Sequence, residues 1–165
     1  MIIARTRDDL NQTLQKFTQK PGKLALIPTM GNLHDGHLSL VRLAKLNAKK
    51  TITTIFVNPL QFGPNEDLDV YPRTLDQDLK HLETISCDAV FCPAPDFAKN
   101  AIKISANSIL SKKLCGISRP HFFDGVITIL NHFFQLIKRF VGFLEDRFLV
   151  VEVLVLDHYW EFDDQ

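Results

Sequence analysis

Two histidines, His34 and His37, stand three positions apart in PTMGNLHDGH, residues 28–37, straight after the apolar run LALI. Gly31 and Gly36 sit beside them. A loop leading from a strand into a helix aims the first N–H groups of that helix, and its partial positive end, at whatever lies above the sheet. Glycines let the backbone approach such a ligand with no Cβ in the way. Imidazoles one helical turn apart project to the same side. Together these parts make a cradle for a phosphoryl group that gains charge during displacement at phosphorus. The loop carries no G-K-[ST] sequence, so it is not a Walker A loop. Two plainer readings stand beside the phosphate one. His34 could simply cap the helix while His37 lies at the surface or in the core, or the two imidazoles could ligate zinc, although no third ligand of fixed spacing is apparent.

The elements that would position this loop follow from hydrophobic spacing. TRDDLNQTLQKFTQ places Leu10, Leu14 and Phe17 at helical intervals and predicts an amphipathic helix. LALIP reads as a short buried strand, and HLSLVRLAKLNA as a helix packed on a sheet through Leu38, Val41, Ala44 and Leu46. TITTIFV is a β-branched second strand closed by Asn58 and Pro59, LDQDLKHLETI a helix, and DAVFCP a third strand. Strand, helix, strand, helix, strand is the pattern of a parallel sheet with right-handed crossovers. The fold class expected is α/β, a Rossmann-like parallel sheet with helices on both faces. Ligands of such sheets bind beyond the carboxyl ends of the strands, which is where the loops 28–37 and 58–73 fall. Further on, ILSKKLCGISRP suggests a short helix ending near Gly116, and DGVITILNHFFQLIKRF a longer one with Gly125 near its start. The end of the chain is strand-like, then acidic and aromatic; left unpaired, VVEVLVL is an aggregation hazard.

The totals exclude several classes. A chain of 165 residues, 45% hydrophobic and 23% charged, suits one soluble globular domain. Nineteen basic and nineteen acidic residues cancel, which argues against a protein that works through the nucleic-acid backbone. Cys87, Cys92 and Cys115 form no C-x-x-C pair and read as reduced, buried thiols. The N-terminus has no apolar signal core, and FLVVEVLVL is too short to span a bilayer and contains Glu152. The expectation is a cytoplasmic protein with neither membrane nor nucleic-acid partner.

The H-x-G-H element resembles the signature of nucleotidyltransferases. The longer strings PTMGNLHDGHLSLVRLAK and IFVNPLQFGPNEDLDVYPRTLDQDL resemble the pantoate-β-alanine ligases in particular. LCGISRPHFFDGVITIL is similar to that family's S-R-P-G-H-F-D-G-V segment, with His121 and Phe122 in place of the glycine and histidine. The resemblance implies an ATP- and magnesium-dependent (Mg2+) condensation of pantoate with β-alanine through a pantoyl adenylate, a step toward coenzyme A. It implies that His37 and His34 are catalytic, and that Met30, Gly31, Asn32, Leu33, His34, Asp35, Gly36 and His37 bind ATP. Gln61 would hydrogen-bond pantoate, Asn58 would shape that side of the pocket, and Tyr71 would wall it. No protein metal ligand is implied, and a homodimer is.

The resemblance also shows where the chain departs from the family. The family continues with G-E-K-D-[FY]-Q-Q; here FLEDRFLVVEV puts Asp146 in the place of the lysine, Arg147 in that of the aspartate, and Leu149 and Val150 in those of the glutamines. A carboxylate beside a triphosphate adds repulsion as well as removing an attraction. The expected organisation is a nucleotide-binding ligase domain over residues 1–144 and a divergent tail over 145–165, with the family's C-terminal domain absent. The competing function is an inactive remnant that binds nucleotide or pantoate at most.

Overall fold

The computed structural model describes residues 1–19, 22–63, 68–105, 119, 122–141 and 148–150. In chain order these form β1 (Ile2–Ala4), α1 (Arg7–Thr18), β2 (Leu24–Thr29), α2 (Asp35–Asn47), β3 (Lys50–Ile55), a 3-10 turn (Pro59–Gln61), α3 (Leu75–Thr84), β4 (Ala89–Phe91), a second 3-10 turn (Pro95–Ala98), α4 (Phe122–Val141) and β5 (Phe148–Val150). The strands make one sheet in the order β1-β4-β3-β2-β5. Every pairing is parallel, with Leu24 opposite Lys50 on one side of β2 and opposite Phe148 on the other.

The alternation of side chains along each strand divides the core into two layers. Leu24, Leu26, Ile52, Ala89 and Phe91 face Leu10 and Leu14 of α1 and Ile129, Phe133 and Ile137 of α4. Ala25, Ile27 and Val90 face the other way, onto Leu38, Val41 and Ala44 of α2 and Leu82 of α3. Helices therefore cover both faces, as the sequence pattern predicts. Each fully buried branched or aromatic side chain in these layers contributes roughly 2 kcal/mol of transfer free energy. The connections β2–α2–β3–α3–β4 step toward β1, whereas α4 carries the chain back across the opposite face to β5. The direction of winding thus reverses between β2 and β5, and the crevice above such a reversal is where open α/β sheets bind ligands.

One expectation needs correction. Leu46 is 84% exposed. At about 100° per residue it lies on the far side of α2 from Ala44, off the stripe that Leu38, Val41 and Ala44 share. β1 escapes the sequence pattern because it is only three residues long with Ile3 half exposed, yet it pairs with β4 along its whole length. Phe148–Val150 pair with Leu24–Leu26 and cover the side of β2 that β3 leaves open. Cys87 and Cys92 are free and buried as expected, and burial pushes the Cys92 thiol up to about 11. Cys115, the helix expected up to Gly116, and Asp146 and Arg147 lie outside the described residues. No helix among the described residues is long and apolar enough to cross a membrane.

Candidate active site

β2 and β3 end side by side, and both sequence-predicted loops leave from that edge. β2 stops at Thr29, whose hydroxyl donates to the Thr54 carbonyl at 2.6 Å and accepts the Gly31 N–H at 3.3 Å. The chain then turns sharply: Gly31 has φ +90° and Asn32 φ +53°. A Cβ on Gly31 would stand 3.1 Å from both Asp78 Oδ2 and Ile55 Cγ2. The sequence reading gave Gly31 to close approach by a ligand. In the structure its positive φ and its packing against Asp78 and Ile55 already require it.

His34 caps α2. Its Nδ1 accepts the Gly36 N–H at 3.1 Å, while His37 Nδ1 accepts the His34 N–H at 3.4 Å, a reciprocal arrangement like a capping box. The two rings lie 4.1 Å apart between centroids, and His37 is buried. Because each Nδ1 accepts, the neutral ring of each carries its proton on Nε2 and presents an N–H there. Both histidines thus hold the structural places that the plainer reading gave them, His34 as cap and His37 in the core. They are brought together as the phosphate reading requires. Among the described residues no group of three His, Cys, Asp or Glu is placed to hold a metal ion.

Asp78 of α3 is the residue that sequence reasoning missed. It is 1% exposed. Its Oδ1 accepts the Leu33 N–H at 2.8 Å, and its Oδ2 accepts the Asn32 N–H at 3.0 Å and the Thr74 hydroxyl at 3.1 Å. The backbone N–H groups of Asn32 and Leu33, two of the residues expected to bind ATP, are therefore taken by a carboxylate of the protein. A signal was available: Asp78 interrupts the apolar stripe of Leu75, Leu79 and Leu82, where only a partnered carboxylate is tolerated.

After β3 the chain makes a one-turn 3-10 helix capped by Asn58, whose Oδ1 accepts the Leu60 N–H at 3.3 Å. Asn58 is buried, and its Nδ2 donates to Gln61 Oε1 and to the Gly125 carbonyl of α4, both at 3.0 Å. The carboxamide of Gln61 is oriented by this bond, which leaves its N–H₂ end as the donor. α4 reaches this turn because Gly125 has no side chain: a Cβ there would fall 2.1 Å from the Leu60 carbonyl oxygen. Between the strand ends and α4 lies a cleft of about 500 Å³ including its open mouth, lined by Met30, Asn58, Gln61, Phe56, Phe122 and Phe133 among others. Met30, Asn58 and Gln61 all line it. Tyr71 packs edge-on against Phe62 with centroids 5.8 Å apart, and the lining of the cleft does not include it.

The site can be set beside known proteins. A family model described as pantoate-beta-alanine ligase matches residues 2–145. A pantothenate synthetase of Thermoanaerobacter sp. is 42% identical over 138 residues, 82% of this chain and 49% of that protein. One of Acidithiobacillus ferrooxidans is 50% identical over 121 residues, 70% and 44% of the two chains. Among solved structures, the pantothenate synthetase of Thermus thermophilus matches with a TM-score of 0.74 at 30% identity, covering 92% of this chain and 60% of that one. A pantoate-beta-alanine ligase of Francisella tularensis, complexed with beta-gamma ATP and beta-alanine, also gives 0.74, at 33% identity over 84% and 54%. This chain spans about half the length of the curated relatives it matches. A match over nearly all of the described fold, at these identities, leaves one conclusion: the chain belongs to the pantoate-β-alanine ligase family.

Proposed function

We propose that this chain carries the nucleotide- and pantoate-binding half of an ATP-dependent pantoate-β-alanine ligase. The observation that carries the reading is the meeting, at one sheet edge, of the paired histidines and the cleft that holds Asn58 and Gln61. A carboxylate is a poor acyl donor. Attack of the pantoate carboxylate on the α-phosphate of ATP expels pyrophosphate and creates an acyl adenylate with AMP as leaving group. The β-alanine amine then attacks the acyl carbonyl and releases AMP. In this reading the Nε2–H groups of His34 and His37 donate to the α-phosphate oxygens as charge builds there. Met30 meets the nucleotide through its backbone, at the corner between loop and cleft.

Gln61 donates its N–H₂ to pantoate and is held in that orientation by Asn58. Apolar walls such as Phe56 and Phe133 suit the quaternary dimethyl carbon of pantoate and keep water from the reactive anhydride. A magnesium ion bound with the nucleotide would neutralise phosphate charge.

The test is pantoate-dependent pyrophosphate release from ATP and magnesium, with and without β-alanine. The expected outcome is release that requires pantoate and falls by about 10²-fold or more in His37→Ala. Folded wild-type protein that releases none would replace this reading with a non-catalytic relative, for which nucleotide or pantoate binding would remain to be measured.

A further inference from the structure

We propose that Asp78 is the positioning residue of the histidine loop: its buried carboxylate clamps the backbone amides of Asn32 and Leu33, and so fixes where His34 and His37 stand. The inference rests on the ligase reading of that loop and adds a residue to it from α3. β2 ends at Thr29, so sheet hydrogen bonds order nothing between Met30 and the cap of α2. Two successive residues there adopt positive φ, a conformation unfavourable to a residue with a side chain unless something outside the turn compensates. Asp78 supplies the compensation. Each of its oxygens takes one of two consecutive N–H groups, at 2.8 and 3.0 Å, and Thr74 holds the second oxygen from behind. Both contacts are charge-assisted, and the one to Leu33 is buried, which makes it stronger than an ordinary turn hydrogen bond. Leu33 leads directly into the cap residue His34, whose N–H holds His37. A rotation at Asn32 or Leu33 is therefore passed straight to both imidazoles.

The clamp also decides what the loop offers a nucleotide. With the Asn32 and Leu33 amides occupied, an incoming phosphate finds a loop whose shape is already set. It does not have to order the loop by binding, as it would where free amides close around the anion. Asp78 is 1% exposed and bonded to the loop backbone, so its role is one of geometry.

The experiment compares wild-type protein with Asp78→Asn, which keeps the shape and one acceptor oxygen but cannot accept both amides. Amide hydrogen exchange and the kinetics of pyrophosphate release are measured on the same preparations. The expected result is exchange at Asn32 and Leu33 faster by about 10-fold, with the amides of β3 and β4 unchanged. Alongside it, kcat is expected to fall by about 10²-fold at an unaltered KM for pantoate. Exchange that rises throughout the sheet, or a loss carried by pantoate KM, would make Asp78 a general fold stabiliser and overturn the proposal. So would unchanged loop exchange with unchanged kcat. Should Asp78→Asn fail to fold, Thr74→Val removes only the hydroxyl bond to Oδ2 and is read by the same criteria. Absence of pyrophosphate release in wild type counts against the ligase reading alone, since loop-confined exchange still tests the clamp.

Discussion

The loops after β2 and β3 leave neighbouring strands at the same edge, yet they are held in opposite ways. The first is bound by charge: a carboxylate on α3 grips two backbone amides across a strained turn. The second is bound by proximity: a neutral carboxamide joins it to α4, and Gly125 allows the helix backbone to lie directly on it. The two helices belong to opposite faces of the sheet, so the site is assembled from both sides. A charged clamp tolerates small shifts of its partners but not loss of the charge. A close backbone contact tolerates no added atom at all.

That contrast can be broken at three points. The largest effect is expected from Gly125→Ala. A methyl group 2.1 Å from the Leu60 oxygen cannot be absorbed by side-chain motion, so α4 must lift from the turn at a cost of about 3 kcal/mol. Urea unfolding measures this, and a cost below about 0.5 kcal/mol would mean that the helix is not seated as described. Asn58→Ala comes next. It strips the partner from Gln61 Oε1 and from the Gly125 carbonyl, for an expected loss of about 2 kcal/mol. If Gln61 reads pantoate, KM for pantoate should rise more than kcat falls, the reverse of the pattern expected for Asp78→Asn.

The smallest effect concerns pH and should touch only the α4 side. His132 of α4 accepts from Arg7 Nη2 at 3.0 Å and lies against Phe97. Burial first, and then the Arg7 guanidinium, hold its pKa below the ordinary 6.5. The unfolded chain therefore takes up a proton before the folded one does, and stability falls as pH drops from about 6.5 toward the lowered folded value. His132→Gln should flatten the stability profile as pH falls below about 6.5, read from thermal midpoints. An unchanged profile would remove His132 from the account.

Sequence periodicity reveals the middle of this fold well and its margins poorly. LALIP and TITTIFV announce strands because a buried parallel strand is apolar or β-branched on both faces. Ile2–Ala4 is too short to show any period and becomes a strand only through a partner far away in the chain, and the strand-like end of the chain gave no hint that Phe148–Val150 would pair with Leu24–Leu26. The histidine pair stood out from its spacing after a strand, and the structure brings the two rings together, whereas Asn58 and Gln61 stood out only by family resemblance. The Asn58–Gln61 bond spans three residues and could in principle be anticipated; the bond to Gly125 could not. Asp78 was overlooked because helical periodicity counts apolar positions and passes over a polar residue set among them.

The sheet order has a consequence for how the protein is made. β2 forms early in the chain, and β3 soon joins one side of it, but its other neighbour, Phe148–Val150, is translated last of the described elements. Until then a six-residue apolar strand offers a row of open amides and carbonyls to any passing chain. The histidine loop grows from the end of that same strand. Synthesis therefore leaves that side of β2 uncovered until Phe148–Val150 has been made, and over that interval protection by a chaperone would count most.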